Sequence, residues 1–304
     1  MNDQNRKFFD SACEKLLKHD VHDGMTELSL ALRDVRNKLD QKEWETFSSK
    51  VIRHRIQQIL HEDPFTRHAF LKPRGYPGDA LLLDYMYGHK PPPEETSILG
   101  RAIFDYTTNT GFPLSVRSRR DILASAIDDT ADRFASPKIV SVACGHLREA
   151  MISVAISTKR VTEFVALDQD QESLGHIAET YPNQNVRTLN ASVRAIISRA
   201  VRLNGFHLAY AAGLYDYLVD RVATKLTTAM FEMLASGGRL LIANFAPSGR
   251  DIAYMETFMG WKLIYRNEND MNRLTSGIAP ESILSQRLFW DEHKNVIYLE
   301  VEKK

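Results

Sequence analysis

From Pro137 onward the chain alternates short apolar runs with helix-like stretches, and this alternation narrows the possible folds more than any other feature. The apolar runs cover 138–143, 163–167, 186–189, 206–210 and 238–244, the last entered through the Gly237-Gly238 turn. Helical patterns lie between them at 148–157, 171–180, 193–202 and 221–234. Such spacing predicts βαβ units and a parallel sheet covered on both faces. The end of the chain differs. A strand is predicted at 261–265 and a helical turn at 271–274. Runs at 286–290 and 295–301 then face each other across 291–294 as an antiparallel pair. The expected fold is therefore α/β, a doubly wound, mostly parallel seven-stranded sheet with an antiparallel finish.

The N-terminal part reads differently. Trp44, Phe47, Val51, Ile52, Ile56, Ile59 and Leu60 recur at three- and four-residue spacing, and Leu28, Leu32, Val35 and Leu39 form a weaker stripe. Between 61 and 116 the prolines and glycines concentrate, with short helices expected at 80–87 and 96–107. A further helix is expected at 115–127, just after Pro113. These features predict two domains: a helical cap at 1–116 and a nucleotide-binding domain at 117–304. Formal net charge is zero, which removes the global field that draws nucleic acid or anionic membrane. The small cluster Arg117, Arg119 and Arg120 reads as a solvated helix face. No window reaches the length of a membrane span, and the first fifteen residues are too polar for a secretory signal. Two cysteines, Cys13 and Cys144, give no disulfide framework and suit a reducing cytoplasm. His54, His61 and His68 are spaced by seven, but Pro64 interrupts any shared helix, so no metal site is expected.

Ligands of open α/β sheets bind outside the carboxyl ends of the strands. The first run ends Ala143-Cys144-Gly145-His146-Leu147, with Glu149 close behind. This loop has neither the G-x-G-x-x-G spacing nor a terminal Gly-Lys-Ser/Thr, so a pyrophosphate lacks its usual cradle. A nucleoside without phosphates fits better. The second run ends in Asp168, followed by Gln169, where a carboxylate can accept both hydroxyls of a ribose. The third ends Asn190-Ala191-Ser192, suited to a base edge, and the fourth leads into Ala212 and Gly213.

In these segments the chain resembles the class I S-adenosylmethionine-dependent methyltransferases over about 136–304. The resemblance implies a Rossmann-like methyltransferase domain. It puts the methionine part of the cofactor on Ala143, Cys144 and Gly145, the ribose on Asp168 and Gln169, and the adenine near Asn190, Ala191 and Ser192. It places Ala212 and Gly213 beside the cofactor. The chain departs from the family where Ser141 replaces a frequent acidic residue and where Ala143 and Leu147 replace glycines; Glu149 is the candidate replacement carboxylate. The segment 72–79, with Gly213-Leu214-Tyr215-Asp216-Tyr217-Leu218, is similar to a bacterial group related to enzymes that form 3-hydroxy fatty acid methyl esters as extracellular signals.

The expected activity is methyl transfer to a small-molecule acceptor, with carboxyl O-methylation as the narrow reading. Tyr76 is expected to cover the sulfonium with its ring and Arg74 to hold an acceptor carboxylate. Asp216 is the candidate for orienting or deprotonating the acceptor, against the reading of a helix N-cap. Asp79, Tyr106, His146, Tyr215 and Asn244 complete the expected acceptor pocket. An N- or phenol-O-methyltransferase would need Asp216, His146 or Asp79 as base. An NAD-dependent oxidoreductase would use Asp168 identically, and a non-catalytic cofactor-binding protein would turn nothing over. Neither a nucleic-acid partner nor a membrane partner is expected, and a homodimer is left open.

Overall fold

The structure is a computed structural model that describes residues 3–182 and 184–304. In chain order the elements are α1 (Asp3–Leu17), α2 (Val21–Arg36), α3 (Gln41–Val51), α4 (Ile56–Leu60), α5 (Pro64–Leu71), α6 (Ala80–Met86), α7 (Ile98–Thr108) and α8 (Gly111–Arg133). Then follow β1 (Lys138–Val142), α9 (Val154–Ser157), β2 (Glu163–Asp168), α10 (Gln171–Thr180), β3 (Val186–Asn190), α11 (Val193–Ile197), β4 (Phe206–Ala212), α12 (Asp220–Glu232) and β5 (Leu234–Phe245). The chain ends with α13 (Ile252–Phe258), α14 (Glu268–Arg273), β6 (Ile283–Trp290) and β7 (Val296–Lys303). These elements form two compact units. One takes the chain up to Arg117 together with Ser248–Lys262; the other takes Ser118–Pro247 and Leu263–Lys304. The segment Ser248–Lys262, read from sequence as part of the sheet domain, thus belongs to the helical unit.

In the second unit all seven strands form one sheet in the order β3-β2-β1-β4-β5-β7-β6. Strands β1 to β5 run parallel, and β7 enters antiparallel between β5 and β6. Sequential strands step outward from β1 to β3, and the chain then returns to lay β4 on the other side of β1. The switch point of this doubly wound sheet therefore lies between β1 and β4, where a ligand crevice forms. Val140 and Val142 of β1, Leu167 of β2 and Ala209 of β4 are buried with Leu226 and Met230 of α12, so these strands read as apolar runs. The Gly237-Gly238 pair lies inside β5 rather than before it, at an irregularity where Leu234 pairs with Phe206 and Arg239 with Leu208. A Cβ on Gly238 would stand 2.7 Å from the carbonyl oxygen of Phe206, so only glycine fits the bend.

Several expected boundaries move. The stretch 261–265 is not a strand. Its backbone makes isolated bonds instead of a ladder: Ile264 N–H donates to Asp216 O (2.7 Å), and Arg266 N–H to Phe245 O (3.0 Å). The stretch 148–157 is not one helix. A 3₁₀ turn at Arg148–Met151 stops at Ile152, and Ser153 caps α9 by accepting from Ile156 N–H. Asp128 of α8 accepts from the Ser153 hydroxyl and from the Val154 and Ala155 N–H groups, which fixes that restart. Helix α8 begins at Gly111, with Pro113 inside its first turn, where proline's missing N–H costs nothing.

The helical unit is held by buried polar ties as well as apolar faces. The stripe read across Trp44 to Leu60 is divided between α3 and α4, with Trp44, Val51, Ile56 and Leu60 buried. Glu256 of α13 accepts from Trp44 Nε1 (2.6 Å) and from Arg36 through Nε and Nη2 (2.8 and 3.0 Å). Three helices of this unit thus converge on one carboxylate. Asp63 caps α5, accepting from the N–H groups of Phe65 and Thr66 and from the hydroxyls of Thr66 and Thr107. Among the described residues no helix is long and apolar enough to cross a membrane.

Burial pushes the Asp63 carboxyl up to about 6 from 3.8, against the hydrogen bonds that favour its charged form. The folded state therefore holds the proton more tightly than the unfolded chain. That contribution is fully present below about pH 4 and is lost as pH rises through about 6. Asp63→Asn removes it. The stability of the variant relative to the parent should rise by up to about 3 kcal/mol between pH 4 and pH 8, read by urea unfolding across that range. A flat difference would show that Asp63 does not titrate there.

Candidate functional site

The second unit gathers its unusual backbone at the carboxyl end of β1. Ala143, Gly145 and Leu147 all have positive φ, at 56°, 53° and 53°. Two of these are not glycine, and each left-handed L-residue costs roughly 1–2 kcal/mol. The conformation is held from outside. Cys144 N–H donates to Leu167 O (3.2 Å), Leu147 N–H to Cys144 O (3.0 Å), and the Tyr181 hydroxyl to Leu147 O (2.8 Å). Ala143 and Gly145 are the partly exposed residues of this loop, while Cys144, His146 and Leu147 point inward. Burial pushes the Cys144 thiol up, which removes it as a nucleophile.

Asp168 ends β2 beside this loop and is only 8% exposed. One oxygen accepts from Gly145 N–H and the other from Asp170 N–H, both at 2.9 Å. Gln169 is exposed next to it. Asn190 pairs with Asp168 in register, and its amide donates to the carbonyls of Asp168 and Gln169. Ala191 N–H also donates to Asp168 O, and Ser192 caps α11 through Ala195 N–H. The ends of β1, β2 and β3 are thus tied into one rim. The side chains of Asn190 and Ser192 hold the rim's backbone, so a base edge would meet that backbone and the exposed face of Asn190.

A second cluster lies between β1 and β4. Ser141 pairs in register with Tyr210, and the Tyr210 hydroxyl donates to Glu149 Oε1 (2.5 Å). Glu149 and Tyr210 are both buried. Burial is the largest influence on each and raises both groups above their ordinary values; Tyr210's hydrogen bond and the charge of Arg119 pull Glu149 back down. Arg119 is 3% exposed, not the solvated helix residue the sequence suggests. Its Nη1 lies 3.4 Å from where a Cβ on Gly213 would stand, and Gly213 has φ of 109°, a region only glycine enters freely. Ala212 and Gly213 therefore leave β4 past a buried guanidinium and a buried carboxylate.

The other residues expected after β4 and β5 are buried as well. Tyr215 is fully buried, with its hydroxyl within 3.0 Å of Thr227 Oγ1, and burial pushes it above its ordinary range. Asp216 is 2% exposed and does not cap a helix, since Val219 is the residue before α12. Its Oδ1 accepts from Phe245 N–H (2.7 Å), and burial lifts it to about 6. Asn244 donates to Phe245 O and Ile264 O and accepts from Arg266. Arg266, wholly buried, also donates to Tyr215 O (2.7 Å), Leu218 O (2.5 Å) and Asp220 (2.8 Å). Asp216, Asn244 and Arg266 form a buried clamp that ties the turn after β4 to the end of β5. The polar atoms of Asp216 and Asn244 are thus engaged in this clamp, and the Tyr215 hydroxyl on Thr227, rather than turned to solvent as the acceptor-facing roles expected. His146 stacks on His176 (4.2 Å between ring centres) with Arg148 Nη2 3.4 Å from its Nδ1.

In the helical unit, the loop between α5 and α6 carries Arg74 and Tyr76. Lys72 (φ 52°) and Gly75 (φ 86°) turn it sharply. Asp79 is wholly buried, caps α6 through Leu82 N–H, and binds His68 Nε2 at 2.9 and 3.0 Å. It staples the base of the loop and is not open to an acceptor, contrary to expectation. His54, His61 and His68 have three different partners: Asp10, the Phe258 carbonyl and Asp79. Tyr106 and Phe112 line a cavity of about 30 Å³ within the same unit, room for one or two waters.

Neither a family model nor a curated protein matches the chain. Solved structures do. A Bordetella parapertussis protein named as a possible exported protein superposes with a TM-score of 0.62 at 14% identity, covering 87% of this chain and 99% of its own. A Thermobifida fusca YX protein, provisionally named a methyltransferase, gives 0.52 at 15% identity, covering 74% of this chain and 94% of its own. At such identities the likeness establishes the fold.

Removing the clamp at its centre should be costly. Arg266→Met leaves the buried Tyr215 carbonyl and Asn244 amide oxygen without their donor, and about 3 kcal/mol of stability should be lost in urea unfolding. A loss below about 1 kcal/mol would show that the clamp does not hold the β4 turn.

Proposed function

We propose that the chain is an S-adenosylmethionine-dependent methyltransferase acting on a small organic acid. One observation carries the reading: the Asp168 carboxylate sits on the Gly145 amide, where phosphate-binding folds of this type present bare amides to a pyrophosphate. A negative charge at that spot repels phosphate. The same carboxylate has two of its roughly four lone-pair sites engaged, which leaves the others for a ribose diol. The site therefore suits an adenosine without phosphates.

Glu149 and Arg119 extend the fit. The amino-acid end of the donor carries an ammonium and a carboxylate. The crevice beside Gly213 offers one buried charge of each sign. We assign Glu149 to the ammonium, in place of the acidic residue absent at Ser141, and Arg119 to the carboxylate. Ala143, Cys144, Ala212 and Gly213 supply backbone, and Gln169, Asn190, Ala191 and Ser192 the rim for the nucleoside. When bound, the donor supplies a methyl group on a sulfonium sulfur. The work of the chain is then to place the acceptor in line and exclude water.

The withdrawn carboxylates favour one acceptor class. A phenol or ammonium needs a base, yet Asp216, Asp79 and His146 are buried and engaged. A carboxylate acceptor needs none. Arg74 is assigned to that carboxylate and Tyr76 to the sulfonium face. A hydroxy fatty acid or similar small acid is the narrow form of this reading, resting on the two sequence motifs.

Calorimetry should show S-adenosylhomocysteine binding one to one and NAD not at all. Asp168→Ala, Glu149→Gln and Arg119→Met should each weaken binding at least about tenfold, or roughly 1.4 kcal/mol. NAD binding without S-adenosylhomocysteine binding would overturn the reading. Arg74→Ala should raise the acceptor KM about tenfold or more with the affinity for S-adenosylhomocysteine unchanged; equal loss of both would reject the anchor.

A further inference from the structure

The opposite edge of the same sheet carries a second cavity, which no part of the proposed reaction uses. It has a volume of about 340 Å³, within the range of small-molecule sites. It lies at the amino ends of β4 and β5, between the segment 199–203 and the last turn of α12. The seven residues of β4 separate it from Gly213 by roughly 20 Å. It is therefore distinct from the crevice at the carboxyl ends.

A local departure from helix opens this cavity. The pattern at 193–202 predicts one continuous helix, but α11 stops at Ile197. Arg199 then takes φ of 62°, a left-handed conformation usually left to glycine or asparagine at such a helix end. This arginine is held there by its side chain: Nε and Nη2 donate to Glu232 of α12 (2.7 and 2.6 Å), and Nη1 to Ile197 O (2.7 Å). The chain leaves the helix early and crosses to Leu203, which leaves a recess floored by Ile196, Leu203, Ala229 and Met233. Strained backbone of this kind concentrates at ligand sites.

The rim has a definite charge. Arg199 and Glu232 neutralise each other. Arg202 is exposed at the same rim and forms no ion pair among the described residues. A recess with an apolar floor and one uncompensated guanidinium at its mouth complements a ligand with an apolar body and a single anionic group. We propose that this recess is a second ligand site, separate from the methyl-donor crevice, for a small organic carboxylate with an aryl or branched apolar body. Arg202 would take the carboxylate and the floor residues the apolar body. The proposal does not depend on the methyltransferase reading.

Isothermal titration with 3-phenylpropionate tests it on the full chain. Saturable one-to-one binding is expected, with Kd on the order of 1 mM or tighter for a ligand of this size. The neutral amide of the same acid should bind at least about tenfold more weakly, as should the acid to Arg202→Glu, a surface change whose fold is checked by melting temperature. Amide NMR shifts should cluster at 196–203 and 229–233. Ala229→Met, which fills the floor, should weaken both acid and amide. Absence of binding, binding unchanged in Arg202→Glu, or shifts centred on 143–149 and 168 would each overturn the site. A dimer seen by sedimentation and broken by Arg202→Glu would also overturn it, by giving the recess to a second copy of the chain.

Discussion

The contact between the Asp168 carboxylate and the Gly145 amide is the constraint on which the rest of the site depends. It joins the ends of β1 and β2 at the switch point and fixes the loop that turns through Ala143, Gly145 and Leu147. With Asp170 N–H on its second oxygen, the carboxylate is oriented from both sides. Charge and geometry act together here. On the proposed reading, the group that pins the loop also disfavours phosphate there, so the loop's shape and its ligand preference have one cause.

The ends of β4 and β5 show a different use of polar groups. Arg266 converges on the carbonyls of Tyr215 and Leu218, the Asn244 amide oxygen and Asp220. Asp216 lies against Phe245 N–H in the same region. An irregular turn buried against a sheet exposes carbonyls that no ladder satisfies, and a guanidinium with five donors is suited to gather them. The clamp explains why residues with reactive side chains stand after β4 without facing the crevice. Their chemistry supports the backbone that carries Ala212 and Gly213, and Gly213 in turn gives Arg119 room.

Much of this was legible in the sequence, for physical reasons. Strands β1, β2, β4 and β5 are buried over most of their length, so they read as apolar runs, and the hairpin of β6 and β7 announces itself across Asp291 and Lys294. The crevice was legible because it follows from strand order. Failures came where tertiary bonds override local pattern. The stretch 261–265 has the composition of a strand but only isolated partners. Helix α13 grouped with distant helices through Glu256, a long-range tie no local window contains. Arg119 was hidden by its neighbours Arg117 and Arg120. It nevertheless shares a helical stripe with Val116, Leu123 and Ile127, all buried, and a charge on an apolar stripe was the available signal.

That buried arginine bears on how selective the crevice can be. Glu149 and Arg119 are both withdrawn from water, and the positive charge of Arg119 favours the ionised form of Glu149. On the proposed reading, a ligand bearing only one charge at this end complements one group and disturbs its balance with the other. A ligand bearing an ammonium and a carboxylate on one carbon complements both. Discrimination of this kind exceeds what an apolar pocket achieves against a missing methylene, because the penalty comes from a charge brought uncompensated into a buried site. On the proposed reading, the Glu149–Arg119 pair favours a ligand with an amino-acid end and the Asp168 contact disfavours phosphate at the loop, so two different interactions select one class of ligand.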